Sequence, residues 1–197
     1  MANSFDTEVE TPELETLSSL AQHLVYRLPE CDDKIIRLTL REVYRDFCRR
    51  SCCLRVRRRF HGPHCHLPVV FGGTVLRVTE VTNGHRPLRA PNDYVYANGN
   101  VMLSHGCDGE FVVAWVEIPP LSSEDAPKWL IDKYGDALCS GVLARLYSQS
   151  NRPYSDQQMA LVESQRYEAA IGEACQSLYS SSPTGSLGTV FDTRDLI

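Results

Sequence analysis

The chain has 197 residues, 43% of them hydrophobic, and a formal net charge of −5 at neutral pH. That length and apolar content suffice for one large domain or a domain carrying an insertion, and they argue against a wholly disordered chain. No apolar run approaches the ~20 residues that a bilayer-spanning helix needs, and the acidic opening MANSFDTEVETPELE lacks the apolar core of a secretory leader, so the eight cysteines are expected to be reduced thiols.

Thr11, Pro12 and the acids around them predict a helix start, with Leu14, Leu17, Ala21, Leu24 and Val25 as its apolar stripe and Pro29 as its end. A second helix is predicted from Asp32 or Asp33, with Ile36, Leu40, Val43, Tyr44 and Phe47 on one side and Lys34, Arg37, Arg41 and Arg45 on the other. After Cys52 the period changes to two. Leu54, Val56 and Phe60 alternate against Arg55, Arg57 and Arg59, while Arg58 falls on the apolar side. From there to Pro119, short β-runs are punctuated by Gly72-Gly73, Asn83-Gly84, Asn98-Gly99 and Asp108-Gly109, which supply the positive φ angles of tight hairpins.

From Pro127 to Tyr147 the small residues Ala137, Ser140, Gly141 and Ala144 recur near helical spacing, predicting a helix pressed closely against a neighbour. Gly costs about 1 kcal/mol relative to Ala in an exposed helix, so close packing is expected to require Gly141. Asn151-Arg152-Pro153 breaks that helix, and another is predicted from about Asp156 to Tyr179. Ser155 would cap it with Gln158 reaching back, Tyr154 would pack on Met159, and Ala160, Tyr167, Ile171, Ala174 and Leu178 would line one stripe. The ending SSSPTGSLGTVFDTRDLI has the composition of a flexible arm. It is either a frayed tail or a hook that orders against another subunit through Val190, Phe191, Leu196 and Ile197. The expected fold is α+β: N-terminal helices over 1–50, an antiparallel β-meander or small β-barrel or sandwich over 51–120, a helix pair over 121–180 and an arm over 181–197.

Charge is segregated along this plan. Residues 1–30 carry one Arg and six acids, net −5; residues 31–90 carry 13 basic and 5 acidic residues, net +8; residues 91–197 carry 6 and 14, net −8. Opposite charges must meet, within a subunit or between subunits. Seventeen basic residues are Arg and three are Lys, and Arg pairs bidentately with carboxylates or phosphates.

Two stretches invite chemistry. His61, His64 and Cys65, with Cys52 and Cys53 upstream, are zinc-type ligands, although their spacing fits no common zinc pattern. In a strand His64, Cys65 and His66 point to alternate faces, so one ion does not easily use all three. The Arg-rich stretch RRSCCLRVRRR could track a phosphate backbone, yet it lacks interleaved aromatic residues, and the acids downstream offer protein partners instead. No GxSxG elbow, local catalytic-Cys signature or phosphate-binding glycine motif is present. Asp132, Asp136, Glu163 and Glu168 are explained as the solvated face of amphipathic helices. An enzyme is therefore not expected, and neither is a cofactor.

The order of elements resembles that of the head-to-tail adaptor (connector, or neck) proteins of tailed bacteriophages. Three stretches carry the resemblance: RLPECDDKIIRLTLREVYRDFCRRSCCLR at 27–55, a hairpin-rich centre ending in VEIPP at 116–120, and PKWLIDKYGDALCSGVLARLYSQSNRPYSDQQMALVESQRYEAAI at 127–171. The His/Cys loop at 61–66 is no part of the family pattern. The resemblance implies a non-enzymatic virion component of the neck, assembled in the host cytoplasm as a twelve-subunit ring. Portal protein would lie on one side and tail tube or nozzle components on the other, with packaged DNA in the lumen and no sequence-specific binding. A lumen that lets DNA slide avoids a dense basic lining, so Arg55, Arg57 and Arg59 are expected to face protein partners. The alternative is a zinc-dependent nucleic-acid-binding regulator using the Cys/His loop and the Arg cluster.

Overall fold

The structure of the chain, a computed structural model, describes residues 13–84, 86–104 and 109–180. It is an α+β fold in which two antiparallel sheets stand between the second and third of four helices. Helix α1 (Ser18–Arg27) and helix α2 (Asp33–Ser51) open the helical body, and helices α3 (Lys128–Tyr147) and α4 (Gln157–Ser180) complete it.

Helix α2 forms where its pattern predicts. The Asp32 carboxylate accepts from the Lys34 amide at 2.8 Å, satisfying one of the orphan donors of the first turn. Ile36, Leu40, Val43, Tyr44 and Phe47 are all buried in the helical core. Helix α3 is the central one, burying residues on most of its circumference, among them Leu130, Tyr134, Leu138, Val142 and Leu146. Gly141 is required there: a Cβ on it would stand 2.7 Å from Val43 Cγ1 and 2.8 Å from Tyr167 Cδ2. The stripe of α4 docks Tyr167, Ile171 and Ala174 on the same core and buries Ala160, while the Leu178 side chain lies outside the described residues.

Two start signals are corrected by the structure. Thr11 and Pro12 lie outside the described residues, and the predicted first turn is instead strand β1 (Leu14–Thr16), paired antiparallel with strand β9 (Asp125–Pro127). Leu17 N donates to Glu124 O and Lys128 N to Glu13 O, both at 2.8 Å. This non-local ladder takes up the backbone groups that a helix would have used, and α1 begins only at Ser18 without a side-chain cap. At α4 the cap is Asp156, whose carboxylate accepts from Met159 N at 2.9 Å. Ser155 Oγ is engaged backwards, donating to Gln149 O and accepting from Arg152 N, so the expected Ser155–Gln158 box does not form.

Between the helix pairs, strands β2 (Arg55–His61), β8 (Glu110–Ile118), β4 (Thr74–Asn83) and β5 (Arg86–Pro87) lie side by side in that order. Strands β3 (His64–His66), β7 (Asn100–Leu103) and β6 (Tyr94–Ala97) form a second sheet. One core joins them, with Val81, Phe111, Val113 and Trp115 from the first sheet and Cys65 and Val101 from the second. The result is a small sandwich and not a meander, because β8 inserts between β2 and β4. Asn98 and Gly99 both take positive φ in the β6–β7 hairpin, as a type I′ turn demands. Gly72-Gly73 makes no hairpin: a Cβ on Gly73 would lie 1.8 Å from Ile118 O, so glycine there permits close passage of two backbones.

Candidate functional site

The basic stretch starts where α2 ends. Ser51 Oγ donates back to Phe47 O at 2.7 Å, and Cys52 takes the left-handed conformation (φ 55°), turning the chain into β2. Under this turn Cys48 and Cys53 place their Sγ atoms 3.8 Å apart in the helical core, and burial pushes the Cys48 thiol well above its ordinary pKa.

Among the described residues strand β2 is an edge strand, paired only with β8. The register sets Arg55, Arg57 and Arg59 opposite Val116, Ala114 and Val112 on one face, and Val56, Arg58 and Phe60 opposite Trp115, Val113 and Phe111 on the core face. Arg55 pairs with Glu80 at 3.4 Å and Arg59 with Glu110 at 2.9 Å. Arg57 is exposed, with no carboxylate in ion-pair range among the described residues. Arg58 is a half-buried charge on the core side of an open edge, a placement that makes edge-on pairing with a second strand costly.

The segregated charges meet within the subunit. Arg41 pairs with Glu124, Arg50 Nη1 donates to Glu168 Oε1 at 2.7 Å, and Arg145 lies 3.4 Å from Asp46. Each pair ties together segments far apart in the chain.

The five zinc-type candidates are dispersed. Cys53 belongs to the helical core, and Cys52 is half-buried at the helix end with Arg77 Nη2 3.2 Å from its sulfur. His61 is exposed at the end of β2, His64 is exposed on β3, and Cys65 faces inward to the sandwich core, where burial pushes its thiol up to about 11. Among the described residues no group of three His, Cys, Asp or Glu side chains is arranged to hold a metal ion. The predicted anchors Val190, Phe191, Leu196 and Ile197 lie outside the described residues.

Two buried carboxylates escaped the sequence reading. Glu117, fully buried, accepts from the amides of Val70 (2.9 Å) and Phe71 (2.8 Å) and from the Trp115 indole (2.9 Å). It thereby fastens the 67–73 loop to β8. Its signal was a single acid in the apolar run VVAWVEIPP. Glu163 corrects an expectation: it is no part of a solvated face but is fully buried, with Oε1 accepting from Arg27 (3.1 Å) and Arg166 (3.3 Å). Its Oε2 has no hydrogen-bond partner among the described residues. Asp132 and Glu168 do stay solvent-facing. A surface cleft beside α1, lined by Leu17, Ser18, Arg37, Arg41 and Glu124 among others, offers only about 30 Å³.

Carboxylates pin loops and helices, and Arg57 is an exposed arginine of β2 with no carboxylate in range among the described residues. Comparison with protein-family models gives no match, and comparison with curated proteins gives none either.

Proposed function

We propose that this chain is a structural adaptor of a tailed-bacteriophage neck, which assembles as a ring, joins the portal to the tail and lets DNA pass through its lumen. It is an assembly component with no substrate to turn over and no resident cofactor. Its place is the virion neck, reached after assembly in the host cytoplasm. Its neighbours are further copies of itself, twelve to a ring, then the portal protein and tail tube or nozzle components.

The observation that carries this reading is the element order. Two helices run into a β-module and a closely packed helix pair follows, the order on which the resemblance to the adaptor family rests. Large apolar side chains left exposed on all four helices, Tyr26, Leu38, Trp129 and Leu161, add surface of the kind that protein partners cover. In a cyclic ring each contact joins two different faces, so a chain with unlike faces is suited to it. Here those faces are an arginine-lined sheet edge and helices that leave large apolar side chains exposed.

Electron microscopy tests the proposal. The purified chain, alone and mixed with portal-bearing particles, is expected to give rings coaxial with the portal. A chain that stays monomeric and fails to bind such particles overturns it.

A further inference from the structure

We propose that the outer face of the three-stranded sheet carries a surface site for a borderline or soft transition-metal cation, copper above all, made by His64, His66 and Met102. The site is separate from the adaptor reading and from the dispersed cysteines.

Its geometry follows from the strands. His64 and His66 are two apart on β3, so they share a face, and both are exposed while Cys65 between them points into the core. Same-face neighbours on a strand lie about 6.6–6.8 Å apart. Two imidazoles leaning together over that distance can share one ion, with metal–nitrogen bonds of about 2.0–2.1 Å. Directly across from His64 in the ladder is Met102, which is 47% exposed and so open to solvent on the same face. Opposed residues on paired strands hold their Cβ atoms about 4.5–5.5 Å apart, so the sulfur can reach the same ion.

Hydrogen bonding prepares one of the imidazoles. Asn100 Nδ2 donates to Asn98 O at 3.1 Å, which turns the amide oxygen of Asn100 toward His66. That oxygen is 3.1 Å from His66 Nδ1 and only accepts, so the proton of the neutral ring sits on Nδ1. The lone pair is thereby left on Nε2. A ligating histidine is ordinarily oriented in this way, with its second nitrogen donating to a fixed oxygen. Two imidazoles and a thioether suit copper in both oxidation states, and oxygen-preferring cations such as Mg²⁺ and Ca²⁺ are excluded by the donor set.

The test uses the tag-free full-length chain with its accessible thiols blocked by N-ethylmaleimide, titrated with Cu²⁺ and followed by calorimetry and electron paramagnetic resonance. One Cu²⁺ per chain is expected, with nitrogen coupling from two imidazoles. His64→Ala and His66→Ala should each weaken binding more than about tenfold, and Asn100→Ala about tenfold, the usual effect of losing an orienting partner. His61→Ala should leave affinity unchanged. Met102→Leu should weaken Cu⁺ binding, read by competition with a chromophoric Cu⁺ chelator, more than it weakens Cu²⁺ binding. The thermal midpoint of each variant reports whether the sheet is intact. Affinity that survives His64→Ala combined with His66→Ala in a folded chain, or the absence of stoichiometric binding, overturns the proposal. Ring formation is not affected by either result.

Discussion

Individual residues carry much of this fold's specificity, and Gly141 is the clearest case. Its missing side chain lets α3 approach Val43 of α2 and Tyr167 of α4, and Tyr167 uses that proximity to donate to Asp46 at 3.0 Å. Gly141→Ala should destabilise the chain by about 1–3 kcal/mol, the usual cost of overpacking, measured by urea denaturation; a neutral result would mean that the helices separate without loss. Glu117 is a second case. Glutamine in its place would present one acceptor and two donors to a nest of three N–H groups. Glu117→Gln should therefore cost about 2–3 kcal/mol and shift the Trp115 indole proton resonance. Glu163 depends on Arg27, since its other partner Arg166 is 63% exposed. Arg27→Ala, which strips a buried carboxylate of its better partner, should cost about 3 kcal/mol by the same measurement. Gly141 was legible in the sequence because a glycine inside a helical pattern needs a reason. Glu163 was not, because helical spacing shows which residues share a face but not whether another helix covers that face.

Whole elements show where local signals and long-range partners compete. The segment at 14–16 has the pattern of a helix start and becomes a strand because Asp125–Pro127, over a hundred residues later, supplies the partner backbone. The Cα partners of β2 explain its arginines better than their number does. Arg58 on the core side of the open edge acts as a barrier to pairing, so Arg58→Val should raise self-association of the folded chain, seen as increased light scattering at unchanged helix content. Helices α2 and α4 are held together partly by Arg50 and Glu168, whose hydrogen bond keeps the Glu168 carboxyl below its ordinary value. A depressed carboxylate lends stability that is present above its unfolded-state pKa and lost as pH falls through the lower folded-state value. Glu168→Gln should thus flatten the acid limb of the stability curve, and because the pair is exposed the change should stay below about 1 kcal/mol.

At the scale of the whole molecule two hydrophobic cores, one helical and one between sheets, are joined through the α2–β2 turn and through β8. Arg57 is the exposed arginine of β2 without an ion-pair partner among the described residues, and in the adaptor reading it meets protein. Arg57→Glu should weaken co-sedimentation with portal-bearing particles at low salt while stability stays within about 0.5 kcal/mol of the parent, and the difference should shrink as salt rises. The amino-acid sequence by itself determined the α+β class, the four helices and the position of the β-module. It also determined the alternation of His64, Cys65 and His66, because period and turn chemistry are local properties of neighbouring residues. Tertiary structure alone decided that 14–16 is a strand, that β8 lies between β2 and β4, that the cysteines and histidines fall into separate cores and faces, and that Glu163 is buried. Each of these depends on which distant backbone or surface arrives to cover a residue, and spacing along a chain holds no record of that.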